Sequence, residues 1–310
     1  MKLSFVFPGQ GSQSVGMMRG FDSLSIVHDT FTEASDALGL DIWKMVNTGT
    51  PEQLGMTVNT QPVMLAAGVA TYRAWLSQGG QMPEVMAGHS LGEYSALVAA
   101  DALAFGDALP LVRLRAQAMQ GAIAEGVGAM AAILGLDDDV VRALCAEAAR
   151  GEVLEPVNFN SPGQVVIAGN KAAVGRGMLL AKEKGAKRAL LLPVSVPSHC
   201  ALMRPAAEQL AAYLESVAIN SPRIPVLHNA DVMAYSDPAQ IRSALARQLY
   251  SPVRWVETIR AMAVQGVTHS MECGPGKVLA GLNKRIDTSI ETYALTSADA
   301  INELTSAWAG

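Results

Sequence analysis

The sequence predicts an α/β fold: a large domain around a mainly parallel sheet, with a smaller βαββαβ unit inserted near its middle. Three observations carry that prediction. Short apolar runs alternate with helix-length amphipathic stretches along most of the chain, as strands covered on both faces by helices would read. The stretch from about 126 to 196 follows another order, with two strands in succession between two helices. A G-x-S-x-G pentapeptide stands where an apolar run gives way to an apolar helix.

Taken in order, the apolar runs at 2–7, 84–88, 224–229, 268–272 and 291–295 are the expected strands of the large sheet. Amphipathic stretches at 62–76, 107–124, 205–217 and 252–265 are the expected helices between them. In the middle, 128–134 reads as a strand and Asp137 to Asp139 as the acidic start of a helix reaching about Arg150. Two short strands, 156–160 and 164–168, flank an Asn-Ser-Pro-Gly turn. A helix over 171–184 stops at Gly185, and 188–194 is apolar again. That order is the signature of a ferredoxin-like unit. The expected division is therefore a discontinuous large domain, 1–125 and 197–310, and a small one, 126–196, with a cleft at their junction.

Composition excludes several classes of function. With 310 residues, half of them hydrophobic and 16% charged, the chain can bury a large core and has little room for a disordered tail. Net charge is −5, from 23 basic and 28 acidic residues, which argues against broad contact with nucleic acid or anionic membrane. Cys145, Cys200 and Cys273 are odd in number and far apart, so neither a disulfide framework nor a zinc site is expected. Buried thiols in a reducing compartment account for them. The first apolar run is broken by Pro8 and Gly9, too early for a secretory leader, and no span-length apolar run follows. A cytoplasmic protein is expected.

The candidate nucleophile is Ser90, within Gly88-His89-Ser90-Leu91-Gly92. A sharp strand-to-helix turn lifts a serine hydroxyl out of the sheet, and small flanking residues relieve the crowding. The helix N-terminus that follows offers unpaired N–H groups to a developing oxyanion. A chance match to this pattern turns up in roughly one chain of this length in ten, so its placement decides. A serine hydroxyl needs a base, and five histidines are available. His28 lies on a polar helix stretch, His228 and His269 sit near strand ends where packing is expected, and His89 supports the turn. His199 lies in a loop re-entering the large domain. The residues alone do not choose among the five.

One further residue stands out. Along the 107–124 helix, Leu111, Leu114, Arg115, Ala118, Met119 and Ala122 share a face, which puts an arginine on the stripe meant for the core. Its neighbour Arg113 falls on the solvated side with Gln117 and Gln120. A buried guanidinium needs an anionic or well-bonded partner. The two readings are an internal salt bridge and a fork for a substrate carboxylate.

Several stretches together resemble the malonyl-CoA:acyl carrier protein transacylases of bacterial fatty-acid synthesis. They are FVFPGQGSQ at 5–13, AGHSLGEYSAL at 87–97, PVNFNSPGQVVIAG at 156–169, LPVSVPSHCALM at 192–203, RQLYSPVRW at 247–255 and ECGPGKVL at 272–279. The likeness runs from the first strand to about residue 285. It implies an α/β-hydrolase-like large domain with a ferredoxin-like insertion. It also implies that Ser90 carries the acyl group, that His199 is its base, and that the backbone carbonyl of Gln248 replaces a triad carboxylate. A carbonyl fixes the tautomer but stabilises the imidazolium less than a carboxylate would. The N–H groups of Gln10 and Leu91 are implied as the oxyanion hole. The loop at Gln10 fails the dinucleotide pattern, because Ser14 stands where the third glycine belongs, and it has no P-loop lysine. Arg115 is assigned to the malonyl carboxylate, with His89 and Asn160 beside the substrate. Cys273 departs mildly from the family, which is expected to have an aliphatic residue there.

The resemblance implies ping-pong transfer of malonyl from malonyl-CoA to the phosphopantetheine thiol of holo acyl carrier protein, by a monomer with no cofactor and no metal. Carrier proteins are acidic, so docking is expected on a local basic patch. Candidates are Lys182, Lys184, Lys187 and Arg188 on the small unit, and Lys277, Lys284 and Arg285 on the large one. A solvated helix face explains the same charges. The rival functions are a serine esterase or thioesterase, a malonyl-loading subunit of a malonate decarboxylase or polyketide system, and a catalytically dead binding protein.

Overall fold

The computed structural model describes residues 1–194 and 196–308. Ser195, in the loop leading to His199, and the last two positions of the chain lie outside the described residues. The chain opens with β1 (Leu3–Phe7), followed by α1 (Ser25–Leu38), α2 (Ile42–Thr48), α3 (Pro51–Gly55) and the long α4 (Thr57–Ser77). Phe5 and Phe7 of β1 meet Tyr72 and Trp75 of α4 edge-on, which fixes that helix across the sheet. Next come β2 (Val85–Gly88), α5 (Gly92–Ala99) and α6 (Phe105–Gly121).

The middle of the chain runs β3 (Gly128–Leu134), α7 (Asp138–Ala149), β4 (Leu154–Ser161), β5 (Gln164–Asn170), α8 (Lys171–Glu183) and β6 (Arg188–Leu191). These four strands form an antiparallel sheet in the order β4-β5-β3-β6. The chain then adds α9 (Arg204–Leu214), β7 (Val226–Leu227), α10 (Pro238–Gln248), α11 (Trp255–Val264), β8 (His269–Cys273), α12 (Val278–Ile286), β9 (Glu291–Leu295) and α13 (Ala298–Trp308). The large sheet is parallel throughout, in the order β7-β2-β1-β8-β9. The burial of β1 and β2 on both faces explains why these two strands read as continuous apolar runs.

The two sheets are tied beside the cleft. Phe159 of β4 donates to the Val253 carbonyl at 3.0 Å, and Val253 donates back to Val157 at 2.8 Å. Cys145, Cys200 and Cys273 are all buried free thiols, and Cys273 closes β8 inside the core. Among the described residues no helix is long and apolar enough to cross a membrane.

Two expectations about elements are corrected. The run at 224–229 supplies only the two-residue β7, because Pro225 has no N–H for the ladder and His228 turns back to donate to Met233 at 3.0 Å. The helix expected from Pro62 begins at Thr57, with Pro62 inside it. Buried Thr60 and Gln61 in the first turns show that packing overrides the preference of proline for a helix start.

Candidate active site

β2 ends at Gly88, and the chain turns through His89, Ser90 and Leu91 into α5. A Cβ on Gly88 would lie 1.8 Å from the backbone of Gly92, and one on Gly92 would lie 2.0 Å from the Phe7 carbonyl oxygen. Only glycine lets strand, turn and helix come this close. Ser90 itself sits at φ 53°, a left-handed conformation that costs energy for any residue with a Cβ. Two buried amide side chains hold it there. The Ser90 N–H donates to Asn229 Oδ1 at 2.7 Å, and its carbonyl accepts from Gln248 Nε2 at 2.9 Å.

Ser90 Oγ lies 2.8 Å from His199 Nε2. His199 is also left-handed, at φ 65°, and its Nδ1 lies 2.8 Å from the backbone oxygen of Gln248. That carbonyl is available because Gln248 ends α10, where the last carbonyls lack helical partners. A proton on Nδ1 leaves Nε2 as the acceptor facing Ser90. Burial, and then the positive charge of Arg115, push the His199 imidazole down to about 3, while the Gln248 carbonyl pulls the other way. The ring is therefore the free base at neutral pH.

Arg115 is 1% exposed and stands in the middle of α6. Its Nη1 donates to Gln61 Oε1 at 2.8 Å, and its Nη2 donates to Gln248 Oε1 at 2.9 Å and to Ser90 Oγ at 3.2 Å. The guanidinium also sits 5.5 Å from the centre of the Tyr94 ring. No ion pair to Asp or Glu forms on it among the described residues. The internal salt bridge, one of the two readings of this position, is absent there. Burial lowers the Arg115 pKa from its ordinary value, with the charge of Glu93 among the opposing influences.

These groups open onto a cavity of about 140 Å³. The large part of the chain contributes Gln10, Gln61, Ser90, Leu91, Arg115 and His199 to its lining, and the small sheet and its exit loop contribute Met130, Asn158, Leu192 and Val194. The backbone N–H groups of Gln10 and Leu91 donate to no protein group among the described residues. His89 also lines the cavity, its Nε2 2.8 Å from Asn160 Oδ1 and its ring tilted against Trp255. Asn160 itself is not in the lining and touches the site through His89. The asparagine that does face the cavity is Asn158, whose buried Oδ1 has no hydrogen-bond partner among the described residues.

Sequence reasoning missed Gln61, Asn158, Asn229 and the side chain of Gln248. It also missed Glu93, which is 0% exposed beneath the turn. Glu93 accepts from His228 Nδ1 at 2.6 Å, from the Asn229 N–H at 2.9 Å and from Gln248 Nε2 at 3.0 Å. His228 is thus part of this network as well as of the packing. The signal for Glu93 was present: α5 is buried along its whole length, so a carboxylate in it needs partners.

Of the basic docking candidates, Lys187 and Arg285 line one surface groove of about 490 Å³ together with Gln164 and Ser161. Lys184 instead pairs with Glu147 at 3.3 Å.

Comparison with known proteins agrees with this arrangement. Residues 4–290 match the family described as an acyl transferase domain. The malonyl CoA-acyl carrier protein transacylase of Escherichia coli is 55% identical over 301 residues, covering 97% of each chain. That of Haemophilus influenzae is 57% identical over 303 residues, again covering 97% of each. A crystal structure of an acyl-carrier-protein S-malonyltransferase from Burkholderia pseudomallei superposes with a TM-score of 0.97 at 58% identity, covering 99% of this chain and 100% of that one. A malonyl-transacylase solved in complex with a type II PKS acyl-carrier protein gives 0.96 at 50% identity, covering 98% of both chains. With Ser90 hydrogen-bonded to a buried histidine, a buried arginine that has no carboxylate partner among the described residues, and this likeness along nearly its whole length, the chain belongs to the malonyl CoA-acyl carrier protein transacylase family of acyl transferases.

Proposed function

We propose that this chain moves malonyl from malonyl-CoA to the phosphopantetheine thiol of an acyl carrier protein, through an ester on Ser90. The observation that carries the substrate choice is Arg115, a buried cation 3.2 Å from Ser90 Oγ with no carboxylate partner among the described residues. A malonyl carboxylate supplies that partner, and the contact to Ser90 Oγ is the longest of the three it can displace.

In the first half-reaction, His199 Nε2 takes the proton of Ser90 as Oγ bonds to the thioester carbonyl carbon. The unpaired N–H groups of Gln10 and Leu91 border the cavity where the oxyanion forms, and they serve as its donors. The C–S bond then breaks, and coenzyme A leaves as a thiol with the proton from His199. In the second half-reaction the carrier's thiol gives its proton to His199 and attacks the ester, and Ser90 Oγ departs and recovers the proton. Met119, Met130, Leu192, Val194 and Val196 give the cavity apolar walls that limit water near the ester. The scheme uses no metal or resident cofactor. His89, held by Asn160, and Asn158 are assigned to the acyl group.

The βαββαβ order of the antiparallel unit supports a ferredoxin-like fold for it, set within an α/β-hydrolase-like domain. The division at 126–196 follows from this reading, with a cytoplasmic location and docking of the carrier on the basic groove. Arg115→Ala tests the substrate assignment. Malonyl loading is expected to fall by about 100-fold or more, with acetyl loading far less affected. Equal losses for both acyl groups would remove the carboxylate fork.

A further inference from the structure

Arg115 is a buried cation whose direct partners are all uncharged, namely two amide oxygens and a hydroxyl. Burying a charge in this way is costly unless an opposite charge lies near. The nearest fully buried carboxylate is Glu93, one amide away. Gln248 Oε1 accepts from Arg115 at 2.9 Å, while Nε2 of the same side chain donates to Glu93 at 3.0 Å. The amide dipole is therefore aligned between anion and cation, and each strengthens the bond of the other. A carboxylate placed directly on Arg115 would occupy the edge that the substrate needs.

We propose that Glu93 is the counter-charge of Arg115, acting through the side-chain amide of Gln248, and thereby a positioning residue for the transfer reaction. This rests on the malonyl reading of the site and deepens it. The same residue fixes three parts of the machinery at once. It orients Gln248, whose backbone carbonyl holds His199 and whose amide holds the Ser90 carbonyl. It binds the N–H of Asn229, whose side chain holds the Ser90 N–H. Its negative charge also opposes that of Arg115 at the moment His199 becomes an imidazolium. The charged and titratable groups around His199 are Arg115 from α6, His89 at the turn and Glu155 from β4, which accepts from the N–H of Ala201 at 3.1 Å. Glu93 and His228 lie behind them.

The network allows a substitution that removes only the charge. Glu93 receives its bonds from His228 on one oxygen and from Asn229 and Gln248 on the other. In Glu93→Gln the amide oxygen can keep the latter two. The amide nitrogen can donate to His228 Nδ1 once that ring carries its proton on Nε2. Among the described residues His228 Nε2 has no partner to oppose the exchange.

The experiment measures malonyl loading of Ser90 by rapid quench on Glu93→Gln, on Arg115→Ala and on the double variant, after wild type has been shown to load. The expected result is a folded Glu93→Gln protein whose loading kcat falls by about 10-fold or more with KM for malonyl-CoA unchanged or lower. The acid limb of kcat moves to lower pH, because the imidazolium has lost a stabilising charge. In the Arg115→Ala background the same change costs kcat less than it does alone, because no guanidinium is left for Glu93 to balance through Gln248. A Glu93→Gln protein that matches wild type in kcat and pH limb makes Glu93 a scaffold only and overturns the proposal. So does an equal fall in kcat with and without Arg115, or a protein that fails to fold although its hydrogen bonds can be kept. Wild type that never loads malonyl would instead overturn the functional reading beneath it.

Discussion

Ser90 and His199 both hold left-handed backbone conformations, and each is kept there by hydrogen bonds to buried groups around the site. Such strain persists only where the surroundings over-determine it, and here Asn229, Gln248 and Leu249 do so. The electrostatics of His199 give a pH prediction. Its pKa is lowered by burial first and by Arg115 second, so in the free enzyme the base stays unprotonated well below the ordinary imidazole range. In the proposed complex, a malonyl carboxylate on Arg115 would cancel the second cause and make His199 a stronger base. The acid limb of kcat/KM for loading is therefore expected below pH 6, with the limb of kcat above it. Coincident limbs near pH 6.5 would contradict this coupling. At this scale Ser90 was legible from its pentapeptide and Arg115 from its place on an apolar stripe. His199 was not, because five histidines compete and nothing local separates a base from a packed ring. Asn158 and Asn160 illustrate another limit. They share a strand two residues apart, and the register shifts in β4 decide which one meets the cavity.

Strands β1 and β2 were legible because burial on both faces makes them continuous apolar runs, and the edge strand β9, buried only at Thr292 and Leu295, is found at its expected bounds of 291–295. The helices α2, α3, α10, α12 and α13 passed unread, and α1 was legible only as a polar helix stretch at His28, although it buries Val27, Phe31 and Ala34 at helical spacing. Their polar faces dilute the signal, and only packing against the core selects the buried stripe. Basic residues at element ends were readable as charges but not as a surface. Folding brings the end of α12 against the β4–β5 turn, where Arg285 donates to Gln164 at 3.0 Å, and places Lys187 in the same groove. Charge reversal at Lys187 and Arg285 is expected to raise the KM for carrier protein several-fold while leaving the coenzyme A half-reaction unchanged. Equal changes in both half-reactions would exclude this groove as the docking edge.

For the whole molecule, neither sheet alone makes the site. The parallel sheet and its helices present Ser90, Arg115 and the base, whereas the antiparallel unit closes the cavity with Met130, Asn158, Leu192 and Val194. The bonds between Val253 and β4 fix the two against each other next to the reacting atoms. The order of elements made the four strands of the antiparallel sheet visible in sequence. The closeness of its strand β4 to the nucleophile was not, since that depends on contacts across about a hundred residues. Covalent transfer through Ser90 is tested most directly by intact-protein mass after brief exposure to malonyl-CoA, comparing wild type with Ser90→Ala. The account predicts a malonyl adduct on wild type only, discharged by added holo carrier protein and slow to decay in buffer. An adduct on both proteins, or one lost to water as fast as to carrier, would contradict it.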